Sequence, residues 1–473
     1  MFRLTGMSTN DPRAAGPALS SDPASRAAAE IRTFSWRPVA AVTARRGALP
    51  TDPDAAAFVA RVFDGVVRPE SVTSAAAALH RLAAETPSTL PWFVRGALQI
   101  GAAVAPVLPT PAVPIARRAL RELLGQLALD ARPERLGAEL AAAAEDGCIL
   151  DVRLAGPAVL GETGARRRLD GIRSLVSRED LDRVSFALSD VSARRTPWAF
   201  TADVEHVAER VLPVFLAAEA AGTHVTLVAT GRDDLDATMA VLTRILEEPR
   251  LEGVRAGISL PIAVAETHDA VRELAAWARV RVARDGARVT LRLSDEVVDT
   301  ADVLTAARHG WAPPASTSRD EVDAGLVRTV REAVSPRGVE GLSLEVATAD
   351  PERAALALAL AAEASAELRL VLPRATPWTP DAEHVVAAAA VHPDDLDAVA
   401  GRLATDYAAA VAAAPVLPLA VPGGTAAAVA AGADAEGADT ESVDTEGVDT
   451  ESADSGESAA GADTERADLD PAD

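Results

Sequence analysis

Lysine is absent from this 473-residue chain, so all 46 basic side chains are arginine. A lysine Schiff base and a lysine anchor for an anionic cofactor are therefore excluded. Cys148 is the only cysteine, which excludes an intrachain disulfide and any cysteine-only zinc site. Asn10 is the only asparagine and aromatics make up 3% of the chain. Together with the excess of Ala, Arg, Asp, Gly and Pro, this is the pattern of a GC-rich coding bias. A basic footprint is also missing. The net charge is −24, of which fifteen acids and one arginine between Gly432 and Asp473 supply −14. A duplex-nucleic-acid binder needs a basic face, and an acidic surface gains nothing from anionic lipid.

Long apolar runs are scarce. Gly96 to Ala116 carries no charge and has the length of a membrane span, but Pro106, Pro109, Pro111, Pro114 and Gln99 interrupt it. That pattern predicts two short buried helices joined by a turn. The N-terminus lacks a compact apolar stretch and reads as a polar leader, with Met7 as a second candidate start. The expectation is a soluble, cytoplasmic protein.

Four regions are expected. Residues 1–28 form a disordered Ser/Pro/Ala-rich leader. Residues 29–148 form a helical arm, with helical spacing over Asp54–Phe63, Val72–Ala84 and Ile115–Leu129, and with Pro69, Pro87 and Pro91 between helices. Residues 149–415 alternate short β-branched runs with helical segments. Strands are predicted at Ile149–Leu154, Val184–Leu188, His224–Ala229, Gly257–Ile262, Val289–Leu293, Leu342–Val346 and Leu368–Leu372, with an eighth at Val385–Val391. Helices are predicted at Asp203–Ala221, Asp233–Glu247, His268–Arg284, Glu321–Val334, Glu352–Ala364 and Asp394–Ala413. This repeat implies an α/β chain forming a (β/α)₈ TIM-like barrel. An open doubly wound sheet is the alternative, but no glycine-rich turn follows the first strand. Residues 416–473 contain a five-residue acidic repeat (Ala438–Ser442, Val443–Gly447, Val448–Ser452) that cannot build a core and reads as a disordered, solvated tail.

Four segments in order, Phe63–Glu70, Leu90–Phe93, Leu160–Leu169 and His309–Pro314, resemble the proline dehydrogenase region of bacterial proline utilisation A. The resemblance implies a barrel of the proline dehydrogenase type preceded by a helical arm. It also implies FAD over the C-terminal strand ends, and flavin-dependent oxidation of L-proline to pyrroline-5-carboxylate. Such proteins carry a fused aldehyde dehydrogenase domain next; here an acidic tail follows instead, and that second activity is expected to be absent.

The resemblance also names positions. A substrate-pocket lysine falls on Ala187, an aspartate beside substrate and flavin on Val228, and a flavin-binding glutamine on Pro261. In the fifth strand Arg292 is retained as a cofactor-binding candidate. The family's next lysine and glycine fall on Asp295 and Glu296, and a later His and Asn on Ala349 and Asp350. Exchanging Lys for Asp changes the local charge by two units, and each contact at about 4 Å is worth on the order of a few kcal/mol. On the last helix the family's Tyr, two Arg and Glu positions fall on Arg402, Thr405, Asp406 and Ala409, so the two arginines that would clamp the proline carboxylate are replaced by Thr405 and Asp406. Loss of one charged contact there costs about 1.5–3 kcal/mol. No catalytic residue of the family is retained.

The histidines at 80, 206, 224, 268, 309, 384 and 392 show no metal-binding spacing. Asp233–Asp234 and Glu266–His268 read as helix starts, and no glycine-framed serine marks a hydrolytic nucleophile. Three readings follow. The first is a degenerate proline dehydrogenase with FAD absent or weakly bound and a structural or regulatory role. The second is a flavoenzyme acting on proline or a related amine, with Arg284, Arg288 and Arg292 as phosphate anchors. The third is a module that docks a proline utilisation enzyme or an aldehyde dehydrogenase.

Overall fold

The computed structural model describes residues 36–38, 52–90, 92–104, 109–193, 196–295, 300–316, 318–374, 376–380 and 383–413. The leader and the acidic tail lie outside the described residues.

After a short strand β1 (Trp36–Pro38), four helices build the arm: α1 (Pro53–Val62), α2 (Val72–Ala83), α3 (Trp92–Val104) and α4 (Pro109–Leu124). The start of α1 follows from its sequence. Asp52 accepts a hydrogen bond from the Ala55 amide at 2.9 Å, and Pro53 occupies the first turn, where no amide is needed. A π-helical turn at Phe63–Val67 continues α1. Phe58, Val59, Val62, Leu79, Leu90 and Val113 form the arm's core. The uncharged stretch does form two helices, but they are not buried throughout. Ala102 and Val113 face the core, whereas Ile100, Val104 and Ile115 lie on the outer faces of α3 and α4 and are exposed. Apolar residues all round a helix cannot all reach one core when only one side is packed.

The chain then enters β2 (Leu129–Asp130), α5 (Pro133–Glu145) and the first barrel strand β3 (Ile149–Ala155). There follow α6 (Gly161–Val176), β4 (Arg183–Ala187), a one-turn α7 (Leu188–Val191), α8 (Phe200–Ala221), β5 (His224–Val228), α9 (Arg232–Leu246) and β6 (Ala256–Pro261). The second half holds α10 (Thr267–Val282), β7 (Val289–Ser294), α11 (Thr300–His309), α12 (Arg319–Ala333), α13 (Pro336–Gly341), β8 (Leu342–Ala347) and α14 (Pro351–Glu363). It ends with β9 (Leu368–Pro373), β10 (Trp378–Pro380), β11 (His384–Val391) and α15 (Leu396–Ala413).

Strands β3 to β9 pair in chain order, all parallel, and β11 pairs with both β9 and β3. That double pairing closes an eight-stranded parallel barrel surrounded by helices, the (β/α)₈ architecture. β2 extends the far end of β11, and β1 pairs antiparallel with β10.

Along each strand, alternate residues face the helices and the barrel interior. Val184, Phe186, Val225, Leu227, Ile258, Leu260, Leu291, Leu293, Leu344 and Val346 join the main core with the helices. The intervening set is more polar: Arg183, Ser185, His224, Thr226, Ser259, Arg292 and Glu345 are buried. At the end of the chain, α15 turns Ala400, Ala404, Tyr407 and Val411 onto Ala56, Phe63, Val67 and Leu127 of the arm. Among the described residues no helix is long and apolar enough to cross a membrane.

Candidate functional site

The barrel's C-terminal face is where a fold of this kind builds its chemistry. The strands bring most of the expected positions there. Ala187, Val228 and Pro261 are the last residues of β4, β5 and β6, and all three are buried. Asp295 follows β7, and Ala349 and Asp350 follow β8. Glu296 lies outside the described residues.

The positions on α15 do not join this group. Arg402 and Asp406 are solvent-exposed and lie 3.7 Å from each other one helical turn apart, and the Thr405 hydroxyl donates to the Gly401 carbonyl. The buried side of α15 packs on the arm, which leaves this face of the helix to solvent.

Arg292 lies inside the barrel, below the mouth. Its guanidinium sits 2.5 Å from Asp151 and 3.0 Å from Glu345, and Glu345 also accepts from Arg183 at 2.6 Å. All four side chains are more than nine-tenths buried. Burial alone would push the Arg292 guanidinium down, but the carboxylates of Asp151 and Glu345 outweigh it and hold the group above its ordinary value. Two acids and two arginines thus neutralise one another in a site that water barely reaches. Beside them, His224 bonds Thr290 at 2.9 Å and Thr226 at 3.3 Å. Burial, then the Arg183 and Arg292 charges, hold its imidazole well below the usual histidine range.

At the mouth, Asp295 accepts from the Thr348 hydroxyl at 2.5 Å and from Arg353 at 3.1 Å. Burial pushes its carboxyl up, against the opposing pull of Thr348 and Arg353. Arg353 also binds Asp323 at 2.6 Å, while Arg319 binds Asp350 at 2.6 Å and Glu352 at 2.7 Å. Asp350 caps α14 by accepting from the Glu352 amide at 2.8 Å. Buried Trp378 donates its indole N–H to the Ala349 carbonyl at 2.8 Å. Around the rest of the rim, Arg153 reaches Asp190 at 3.3 Å, Arg232 reaches Glu266 at 2.7 Å, and Arg374 reaches Glu139 at 3.3 Å. Each of these arginines meets a carboxylate of the chain itself.

The other expected phosphate anchors are elsewhere. Arg288 precedes β7, at the opposite end of the barrel, and donates to the carbonyls of Val339 and Leu342. Arg284 lies just after α10, on that same side. A cavity of about 340 Å³ opens between β2, α5 and the start of α15, lined by Leu129, Asp130, Arg135, Glu139, Val391 and Leu396. None of Ala187, Val228, Pro261, Asp295, Ala349 and Asp350 borders it. Among the described residues no group of three or more His, Cys, Asp or Glu side chains could hold a metal ion. Asp233 and Asp234 do sit in the first turn of α9, and Glu266 immediately precedes α10.

Sequence reasoning missed Asp151, Arg183, Glu345, Asp323 and Arg353. The available signal was a charge at a buried strand position, the single one of β8 at Glu345 and one of two in β3 at Asp151.

No family model matches the chain, and no curated protein matches it. Solved structures do. Proline utilization A from Corynebacterium freiburgense aligns at a TM-score of 0.56 with 26% identity, over 62% of this chain and 32% of that one. The protein from Bdellovibrio bacteriovorus, inactivated by N-propargylglycine, aligns at 0.56 with 15% identity, over 73% of this chain and 41% of that one. A mutant of the Bradyrhizobium japonicum protein aligns at 0.53 with 18% identity, over 84% of this chain and 44% of that one. The chain thus spans 32% to 44% of the length of these structures.

Proposed function

We propose that this chain is a proline dehydrogenase-like barrel in which internal ion pairs stand where a flavin site would be, and that its role in proline utilisation is structural or regulatory. The observation that carries this is Asp295. It stands at the end of β7, where the resemblance implies a lysine beside the flavin, and it is already engaged by Thr348 and Arg353. A dinucleotide needs donors for its phosphates, and the arginines around this mouth hold carboxylates instead. The residues present do not fit FAD, and no hydride-transfer step is assigned to them. A carboxylate clamp for proline fares no better, because Arg402 faces solvent and Asp406 adds an acid beside it.

An absorbance spectrum of the purified protein tests the proposal, with an FAD titration beside it. The expected result is no flavin absorbance and no uptake on titration. Yellow protein with flavin near stoichiometric would overturn the reading and restore the flavoenzyme alternative.

A second reading, a docking module for a proline utilisation enzyme or an aldehyde dehydrogenase, is favoured by one observation. Leu160, Trp198 and Trp311, on the segments that follow β3, β4 and β7, leave large apolar side chains in solvent. Co-purification with such an enzyme, weakened by Trp198→Ser, would support it; unchanged recovery of the partner would count against it.

A further inference from the structure

Three features beyond the ends of β7 and β8 attract anions, and each already holds a carboxylate of the chain. Arg353 lies between Asp295 and Asp323. Arg319 holds Asp350 and Glu352 and approaches Asp323 at 3.7 Å. The N-terminus of α14, a helix of 13 residues, is capped by Asp350. Two guanidiniums converging near a helix N-terminus are the components of a phosphate site. Here four carboxylates face two guanidiniums, so the patch is negative on balance.

We propose that this end of the barrel mouth is a self-occupied anion site, in which Asp295 and Asp323 hold Arg353 and so exclude phosphate-bearing ligands. The inference rests on the reading that the barrel does not take a dinucleotide, and it names the residues that do the excluding. Asp350 is set apart from this role because it caps α14, and its loss would disturb the helix itself. Asp295 and Asp323 come from other elements, the end of β7 and α12. Their carboxylates meet on Arg353 from two sides, Asp323 accepting from Nε and Asp295 from Nη1. Changing both to asparagine keeps their volume and their capacity to accept hydrogen bonds while removing two negative charges.

The test is a calorimetric titration of the full chain with inorganic pyrophosphate at low ionic strength, comparing wild type with Asp295→Asn/Asp323→Asn. The wild type is expected to show no saturable binding. The double variant should bind at least about tenfold more tightly, lose that binding on addition of Arg353→Met, and weaken as salt is raised. A double variant that unfolds at the wild-type denaturant midpoint yet binds pyrophosphate no better than wild type would overturn the inference. So would wild type that binds as tightly as the variant. Should the double variant not fold, Asp323→Asn alone, at the more exposed of the two positions, must still show a smaller gain, and its absence overturns the inference equally. Flavin bound to wild type would overturn this inference and the functional reading together. A failed gain in flavin-free protein overturns this inference alone.

Discussion

Arg292 is the one flavin-contacting position that the resemblance retains, and in the fold its guanidinium meets Asp151 and Glu345. Replacing it with methionine keeps much of its aliphatic length and deletes the guanidinium. Asp151, fully buried, has no other ion-pair partner among the described residues, and Glu345 would keep only Arg183. Removing one member of a buried ion-paired group typically costs about 3–5 kcal/mol, because it strands a charge in low dielectric. A domain's total stability is only about 5–15 kcal/mol, so Arg292→Met should shift the urea midpoint strongly. The cost comes mainly from the orphaned carboxylate. Adding Asp151→Asn should therefore recover a substantial part of it, with a coupling energy of about 1–3 kcal/mol in a double-mutant cycle.

The assay is urea unfolding followed by far-UV circular dichroism for wild type, the two single variants and the double variant, in protein prepared both with and without added FAD. A flavin-binding arginine predicts the opposite pattern. Flavin would be lost, stability without flavin would change little, and Asp151→Asn would bring no rescue. If Arg292→Met lies within about 1 kcal/mol of wild type, the description of a neutralised barrel interior is wrong.

Four further outcomes are expected. His224 is held below the usual histidine range, so its folded state takes up a proton less readily than the unfolded chain; its contribution is complete above pH 6.5 and is lost as pH falls below that, at up to about 1.4 kcal/mol per pH unit. Unfolding midpoints measured across that interval should flatten in His224→Gln, and an unaltered acid slope would refute the assignment. Gly257→Ala would place a methyl 2.7 Å from the Thr290 carbonyl oxygen inside the barrel and should destabilise by about 1–3 kcal/mol. Gly96→Ala in α3, which meets nothing within 4 Å, should instead stabilise by about 0.5–1 kcal/mol, and thermal melts of the pair check both signs. Phe63→Ala empties the buried contact between the arm and α15, so a loss of about 3–5 kcal/mol and faster proteolysis within 396–413 are expected; protection equal to wild type would show that α15 is held by something else.

The barrel was legible because each strand in a closed parallel sheet is buried on both faces and reads as a short β-branched run between turns. Predicted and observed strand ends differ by one residue at most. The eighth strand was harder. His384–Val391 contains four consecutive alanines, a helix-forming composition, and it is extended because only a strand there can join β9 to β3. Helix α6 was missed because Gly164 and Gly171, with Glu162, Asp170 and four arginines, obscure its apolar period. Strands β1, β2 and β10, of two or three residues, carry no pattern to find.

The site divides along the same line. Strand-end positions follow from counting along each βα unit, so Ala187, Val228, Pro261 and Asp295 could be placed on the C-terminal face from sequence. Which charges meet cannot be counted that way. Arg183 and Glu345 are 162 residues apart, and Arg353 draws Asp323 from 30 residues away and Asp295 from 58. These pairings exist only once the barrel closes. They also change what the acid at 295 means. Read along the chain, Asp295 is a repulsion placed where a phosphate would lie. In the fold it is half of a pair whose other half, Arg353, would be a buried guanidinium with one fewer counter-charge if Asp295 were removed. An acid that only repelled a ligand would leave its own burial uncompensated; this one is matched by an arginine on the next βα unit and a hydroxyl on β8's continuation. The same contacts that stabilise the barrel mouth are therefore the ones that exclude an anion from it. Restoring a positive charge at 295 alone would set it against Arg353, so a single reversal should destabilise the mouth without creating a phosphate site.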